Sequence, residues 1–291
     1  MVYPKGEKYM NLTNPATIKK IMDGLGRGFN KSLGQNFLTD QSVLDDTIEA
    51  SGIDETYGVI EVGPGIGTLT VELSKHAGKV VAIELDRNIA EYLKGAFVAY
   101  DNVEIIQGDA LKTDLNKIIE EYMPGMPVVV IANLPYYITT PLIMKFLEDD
   151  LPLESITVLI QKEVAERIVA DAGTKEYGAI SVAVQYYSSP EIIRTVPPES
   201  FMPPPKVTSS IIKMDIKNHT KPEVSNEKRM FRVVKAAFGQ RRKTLVNALS
   251  SGFDVPKEEL TRIVTDVTGS EKIRGEQLDL RQFIQISEIL K

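Results

Sequence analysis

Five short apolar runs, YGVIEV, KVVAIEL, NVEIIQ, VVVIAN and SITVLI, recur between residues 57 and 160. They are nearly continuous rather than alternating, the pattern of strands in a parallel sheet covered on both faces. Helical-period segments such as GTLTVELSKHA and RNIAEYLKGAF lie between them, and the alternation predicts an α/β, doubly wound sheet. Upstream, Asn14 is placed to cap a helix that has Pro15 at its first position and Gly24 near its end. SLGQNFLTD reads as a loop, and Asp40 as the cap of QSVLDDTIEASG. Downstream, QKEVAERIVAD and AISVAVQYYS read as helices. EIIRTV and KVTSSIIKMDI, separated by PPESFMPPP, read as a terminal β-hairpin.

After KNHTKPEVSN, a polar, turn-rich linker, the period is helical to the end, through EKRMFRVVKAAFG, RRKTLVNALSS, PKEELTRIVTD and LRQFIQISEIL. This predicts an α/β domain over 1–219, with an N-terminal helical extension, and a small all-α domain over 220–291.

Composition narrows the chemistry. The 291 residues include no cysteine and two histidines, His76 and His219. Disulfides, thiol nucleophiles and cysteine-ligated metals are therefore excluded, a zinc site has few ligands to draw on, and the chain suits a reducing cytoplasm. MVYPKGEKYM has no apolar h-region of a signal peptide. No apolar run approaches the roughly 20 residues of a membrane span, so no membrane partner is expected. Net charge is −6, but its distribution is uneven: residues 220–291 carry 14 Lys and Arg against 10 Asp and Glu, and the rest carries 20 against 30.

The segment VIEVGPGIGTLT joins the first of these strands to a helix. Gly63, Gly65 and Gly67 would let the backbone approach a ligand, with the helix amides as donors. A dinucleotide fingerprint is G-x-G-x-x-G; here the third glycine comes one residue early. Glu61, on the strand before the loop, suits a cationic ligand better than a pyrophosphate. Glu84, at the end of the second strand, is about 20 residues on, where an acid grips a ribose hydroxyl. Asp109 of IIQGDA is an acceptor for an exocyclic amine. A ribose, an amine-bearing base and a positive charge together describe S-adenosylmethionine. The rival ligands are a nicotinamide or a flavin, and the bland alternative is that Glu61 and Asp109 only cap helices.

The fourth strand ends NLPYY. In a parallel α/β sheet ligands sit at the carboxyl ends of the strands, so Asn133 arrives at that edge. Its side-chain oxygen and the carbonyl of Leu134 can accept both hydrogens of an amino group. Pro135 would stiffen the turn, and Tyr136 can stack on a base. Such acceptors suit adenine N6, whose lone pair is delocalised into the ring. They favour a pyramidal nitrogen, so the site would work by positioning and electrostatics. The base must leave its stack or come from a single strand.

SLGQNFL, EVGPGIGTLT, IELD, QGDA, NLPYYITTPLI, FMPPPKVTSSI and QRRKTLVNAL together resemble the ribosomal RNA adenine N6-dimethyltransferase family, from about Lys31 to the C-terminus. The combination is specific; the glycine loop alone is not. The Leu of NLPY, PPPKV and RRKTL most resemble the bacterial small-subunit (KsgA-type) branch. Other members methylate large-subunit rRNA and confer macrolide resistance. The resemblance implies a Rossmann-like, S-adenosylmethionine-dependent methyltransferase domain with a small helical C-terminal domain. It implies two methyls on each of two adjacent adenosines near the 3′ end of small-subunit rRNA, within a 30S assembly intermediate; a cytoplasmic monomer is expected. Gln35, Asn36 and Leu38 would close over the cofactor; Gly63 would bind its methionine, Glu84 its ribose and Asp109 its adenine. Leu85 of IELD and Asn133 join that set. Asn133, Leu134 and Tyr136 would hold the target base, and Phe201 would stack on its other face unless it is ordinary core. A non-catalytic assembly factor is a further alternative, against which Asn133, Tyr136 and Phe201 are all present.

Between Lys228 and Lys243 there are seven basic residues and no acidic one. Lys228, Arg232 and Lys235 fall on one helix face, with Phe231, Val234 and Phe238 on another. Arg241, Arg242 and Lys243 follow. The six basic side chains are candidates for rRNA phosphates; the alternative is a solvated helix face.

Overall fold

The structure is a computed structural model that describes residues 11–26 and 36–290. In chain order its elements begin with α1 (Pro15–Gly24), β1 (Phe37–Leu38), α2 (Gln41–Ser51), β2 (Gly58–Val62), α3 (Thr68–His76), β3 (Lys79–Glu84) and α4 (Arg87–Ala96). Then come β4 (Val103–Gln107), α5 (Leu115–Tyr122), β5 (Val128–Asn133), α6 (Thr139–Glu148), β6 (Leu153–Gln161), α7 (Lys162–Val169) and α8 (Ala179–Tyr187). The last are β7 (Ser189–Val196), β8 (Phe201–Met202), β9 (Ser209–Asp215), α9 (Glu227–Gly239), α10 (Leu245–Leu249), α11 (Lys257–Thr268) and α12 (Leu280–Ile289). The predicted caps form: Asn14 accepts from the Ala16 amide at 2.8 Å and Asp40 from the Ser42 amide at 3.0 Å. Each thereby satisfies a donor that the helix cannot.

Contacts divide the chain into two compact units. The first runs to Ala165 and resumes over Glu191–Lys217; the second comprises Glu166–Pro190 and Asn218–Lys291. The division is thus not the single cut near residue 220 that the linker suggested. Half of α7, and all of α8, belong with the C-terminal helices. Gln185 on α8 donates to the carbonyls of Ile168 and Ala170, and Val182 and Tyr177 join Val234, Leu260 and Phe283 in one core.

In the first unit a seven-stranded sheet has the order β4-β3-β2-β5-β6-β9-β7. The pairs β2–β3, β3–β4, β2–β5 and β5–β6 are parallel, and β9 runs antiparallel to β6. The order reverses direction at β2, where β3 lies on one side and β5 on the other. That is a topological switch point, the place where α/β sheets hold ligands. Burial explains the apolar runs: β2 is buried at every residue, and β5 at all but Asn133. The two late strands lie side by side at the sheet end as predicted.

Between them, PPESFMPPP contributes β8, which pairs antiparallel with β1, Phe37 opposite Met202 and Leu38 opposite Phe201. The clasp continues through the Thr39 amide to the Ser200 carbonyl at 2.9 Å and the Ser200 hydroxyl to Asp40 at 3.0 Å.

Among the described residues no helix is long and apolar enough to cross a membrane.

Candidate active site

At the carboxyl ends of β2, β3, β4 and β5 the first unit opens a cleft of about 990 Å³, counting its mouth. Its walls bring together Asn36, Leu38, Glu61, Gly63, Gly65, Glu84, Leu85, Asp109, Asn133, Leu134 and Tyr136. These are most of the candidate residues, drawn from five separate stretches of sequence. Gln35 lies outside the described residues.

Two candidates do not line the cleft. Gly67 caps α3 at φ 89°, and a Cβ there would meet the Phe97 ring at 2.8 Å. The missing Cβ leaves room for the Phe97 ring at the end of α4. Phe201 is 3% exposed in the first unit's core. It pairs with Leu38 across the β1–β8 ladder, and in this structure its side chain lies in the core rather than on the cleft wall.

The acids differ in environment. Glu61 is 1% exposed, and its Oε2 has no hydrogen-bond partner. Burial pushes its carboxyl up to about 8, with negative Glu84 adding to the effect. Glu84 is raised to about 7, again by burial, opposed by hydrogen bonds from the backbone amides of Asp86 and Gly65; the Asp86 amide lies at 2.8 Å. Asp109 is more open. Its Oδ1 accepts from the Leu111 amide at 3.0 Å, while Oδ2 lies 3.5 Å from Lys112 Nζ. One oxygen thus closes a turn rather than capping a helix, the cap of α5 being Asp114, and the other faces an exposed lysine.

At the end of β5, Asn133 Nδ2 donates to the Asn36 carbonyl at 3.2 Å. Only the NH₂ end of an amide can make that bond, so the partner fixes the orientation and leaves Oδ1 as an acceptor. The Leu134 amide is used by the Leu159 carbonyl at 3.1 Å, while the Leu134 carbonyl takes no hydrogen bond among the described residues. The next carbonyl, of Pro135, is occupied by the Ile138 amide and the Thr139 hydroxyl. The turn thus leaves the Asn133 amide oxygen and the main-chain carbonyl of the next residue without a partner among the described residues, and spends the Pro135 carbonyl on closing itself. Tyr136 is half-buried in the wall, with its hydroxyl 2.5 Å from Ser209 Oγ.

Sequence reasoning missed Tyr137, which lines the same cleft and is 51% exposed. It also missed Thr68, the first residue of α3, whose buried hydroxyl has no partner. The doubled aromatic of NLPYY was the available signal for the first; nothing in the sequence marks the second.

A buried carboxylate with an orphaned oxygen needs a cationic or hydrogen-bonding ligand. Glu61 offers that beside the acceptors Glu84 and Asp109, and the set fits S-adenosylmethionine. Fold and cleft define a Rossmann-like, S-adenosylmethionine-dependent methyltransferase. A sequence model of the family described as ribosomal RNA adenine dimethylase matches residues 26–291, and the chain belongs to that family.

Curated relatives include ribosomal RNA small subunit methyltransferase A of Alkaliphilus oremlandii, 49% identical, with 94% of this chain and 95% of the relative covered. The protein of the same name from Clostridioides difficile is 45% identical, with 96% of each covered. Among solved structures, a dimethyladenosine transferase from Plasmodium falciparum superposes with TM-score 0.70 at 27% identity, covering 86% of this chain and 95% of that one. The 23S rRNA methyltransferase ErmE superposes with TM-score 0.66 at 24% identity, covering 88% and 99%, and shares the fold.

In the second unit all six candidate RNA-binding side chains are exposed, but two are already engaged. Arg241 donates to the carbonyls of Lys175 and Tyr177 at 3.1 and 3.0 Å. Arg232 donates to the Gly252 carbonyl and lies 4.4 Å from the centre of the Phe253 ring. Both are struts of the helical unit as well as charges. Lys228, Lys235, Arg242 and Lys243 have no side-chain hydrogen bond or ion pair among the described residues. On the opposite face, Phe231 stacks on Tyr187 with centroids 5.8 Å apart, and Phe238 meets Tyr177 and Phe283, as the periodicity of α9 required.

Proposed function

We propose that the protein transfers methyl groups from S-adenosylmethionine to N6 of two adjacent adenosines near the 3′ end of small-subunit rRNA, giving N6,N6-dimethyladenosines. The observation that carries this is the paired acceptor at the end of β5, Asn133 Oδ1 and the Leu134 carbonyl, beside the cleft acids. Curated relatives named as small-subunit methyltransferases, at 45–49% identity over nearly the whole chain, support the small-subunit target over the large-subunit one.

When bound, the cofactor supplies an electrophilic methyl on a sulfonium. Glu61 holds its cationic amino-acid end beside the Gly63 turn, Glu84 its ribose hydroxyls and Asp109 its adenine amine. Asn36, Leu38 and Leu85 cover it and exclude water. Asn133 Oδ1 and the Leu134 carbonyl accept the hydrogens of the target N6 and stabilise the positive charge that develops there. Tyr136 holds the extruded base by stacking. No strong base is required, because an N6 that gains positive charge gives up its proton readily.

The substrate is rRNA within a 30S assembly intermediate, the site of action is the cytoplasm, and the protein works as a monomer. The helical unit supplies phosphate contacts, which position without specifying sequence.

Labelled S-adenosylmethionine offered to undermethylated 30S and to naked 23S rRNA tests the reading. Dimethyladenosine in the 30S sample, near four methyls per particle, is expected. Labelling of 23S alone would move the protein to the large-subunit branch, and labelling of neither, with cofactor still bound, to a non-catalytic assembly factor.

For the helical unit the informative variant is Arg242→Ala with Lys243→Ala, since Arg241 also braces the fold. Binding to 30S should weaken, and the slope of log affinity against log salt should shrink by about 1.5. An unchanged slope would remove this patch from the interface.

A further inference from the structure

Tyr136 is held by a residue far away in sequence and on another strand. Its hydroxyl meets Ser209 Oγ at 2.5 Å, across 73 positions of chain. Ser209 is fully buried at the first position of β9, opposite Gln161 of β6. Its backbone is therefore fixed by the sheet, and its side chain has little freedom. Tyr136 sits in the turn after β5, where no ladder fixes a side chain. Its main-chain neighbourhood is rigid: Pro135 precedes it, and the Pro135 carbonyl binds Ile138 and Thr139. What that turn leaves open is the rotation and tilt of the ring. A stacking residue is effective only if its ring plane is set before the base arrives.

We infer that Ser209 is a positioning residue for the target base, acting through Tyr136: its hydroxyl anchors the phenol at the far end of the ring and so sets the plane on which the adenine stacks. This rests on the methyl-transfer reading above. It gives a task to the VTSS segment, where Ser210 Oγ, one residue on, is buried with no partner. Of two adjacent buried serines, the one that faces Tyr136 is satisfied by it. Burial raises the Tyr136 hydroxyl above its ordinary value, opposed by the hydrogen bond to Ser209, so the phenol stays protonated through the working pH range. The pair is then a neutral hydrogen bond with no charge to place near the reacting nitrogen. A phenolate would perturb that nitrogen; an anchored phenol presents only its ring.

The test is a double-mutant cycle of Ser209→Ala, Tyr136→Phe and the pair, read in three ways. Methyl transfer to 30S is followed at varied RNA concentration, S-adenosylhomocysteine binding by calorimetry, and stability by thermal melting. Each single variant should lose about tenfold in kcat/KM for the RNA, the worth of one well-placed hydrogen bond. The double variant should lose no more than either single, with cofactor affinity unchanged throughout.

Additive losses, or a Tyr136→Phe enzyme as active as the parent, would overturn the inference. So would a Ser209→Ala defect seen only in melting temperature, which a merely structural hydroxyl would give. Tyr136→Phe keeps the ring and the fold, so the inference is tested even where Ser209→Ala is unstable. If the parent itself methylates no 30S, it is the underlying functional reading that fails, and the parent control reports that separately.

Discussion

Asn133→Ala should lower the rate of methyl transfer by about 10²–10³-fold, the range seen when one preorganised group is removed from a developing charge. The lost oxygen is one of two acceptors at N6, and the structure provides no substitute. The neighbouring Pro135 carbonyl is consumed by the Ile138 amide and the Thr139 hydroxyl. Water is a poor replacement because it must reorganise as charge develops. The substitution also removes the 3.2 Å bond to the Asn36 carbonyl, so the segment over the cofactor loses one tie, though the β1–β8 clasp retains the rest. The effect should therefore fall on kcat more than on cofactor affinity, with S-adenosylhomocysteine binding within a few-fold of the parent. Single-turnover transfer from labelled cofactor, with calorimetry on the same preparations, separates the two. Full activity in Asn133→Ala would remove the amide from the chemistry, and a collapse of cofactor binding with it would make Asn133 chiefly a cofactor residue.

How much of this was legible in sequence depended on whether a signal was local. The strands β2 to β6 were readable because a sheet covered on both faces writes itself as continuous apolar runs. Glu61, Glu84, Asp109 and Asn133 were readable because each ends, or closely follows the end of, such a strand, and strand ends share an edge. What sequence did not show was partnership. Phe201 carries the same apolar signature whether it meets a base or packs in the core, and its pairing with Leu38 joins segments far apart in sequence. Gly67 looked like its two neighbours in the loop, yet its missing Cβ answers to Phe97, 30 residues on. The helices of 166–190 were correctly read as helices, but period says which face is apolar, not which core receives it. Arg241 looked like a free charge until two carbonyls from another segment claimed it. Ser209 was quoted inside a motif without a task, because its task lies 73 residues upstream.

Glu61→Gln should separate stability from binding in opposite directions. In the protein without ligand, the Glu61 carboxyl is raised from an ordinary 4.5 to about 8. Over that window the unfolded chain has released this proton and the folded protein still holds it. Folding stability therefore falls as pH rises from about 4.5 to 8, by about 1.4 kcal/mol per pH unit for one such group, and is fully retained below 4.5. Glu84, raised to about 7, adds the same sign over the lower part of the window. Glutamine has no proton to lose, so Glu61→Gln should melt higher than the parent at pH 8, should match it more closely at pH 5, and should show a shallower slope between. Cofactor binding should move the other way. A charge-assisted contact to a cation is worth about 1.5–3 kcal/mol, so affinity for S-adenosylmethionine should drop by about 10–100-fold. Binding to the parent at pH 7 should also release protons, because a cationic ligand drives Glu61 to its charged form. Calorimetry in buffers of different ionisation enthalpy measures that release, and it should shrink in Glu61→Gln. A parent whose ligand-free stability does not vary between pH 5 and 8, or a Gln variant that binds as tightly as the parent, would show that the orphaned oxygen of Glu61 is not the seat of the cofactor's charge.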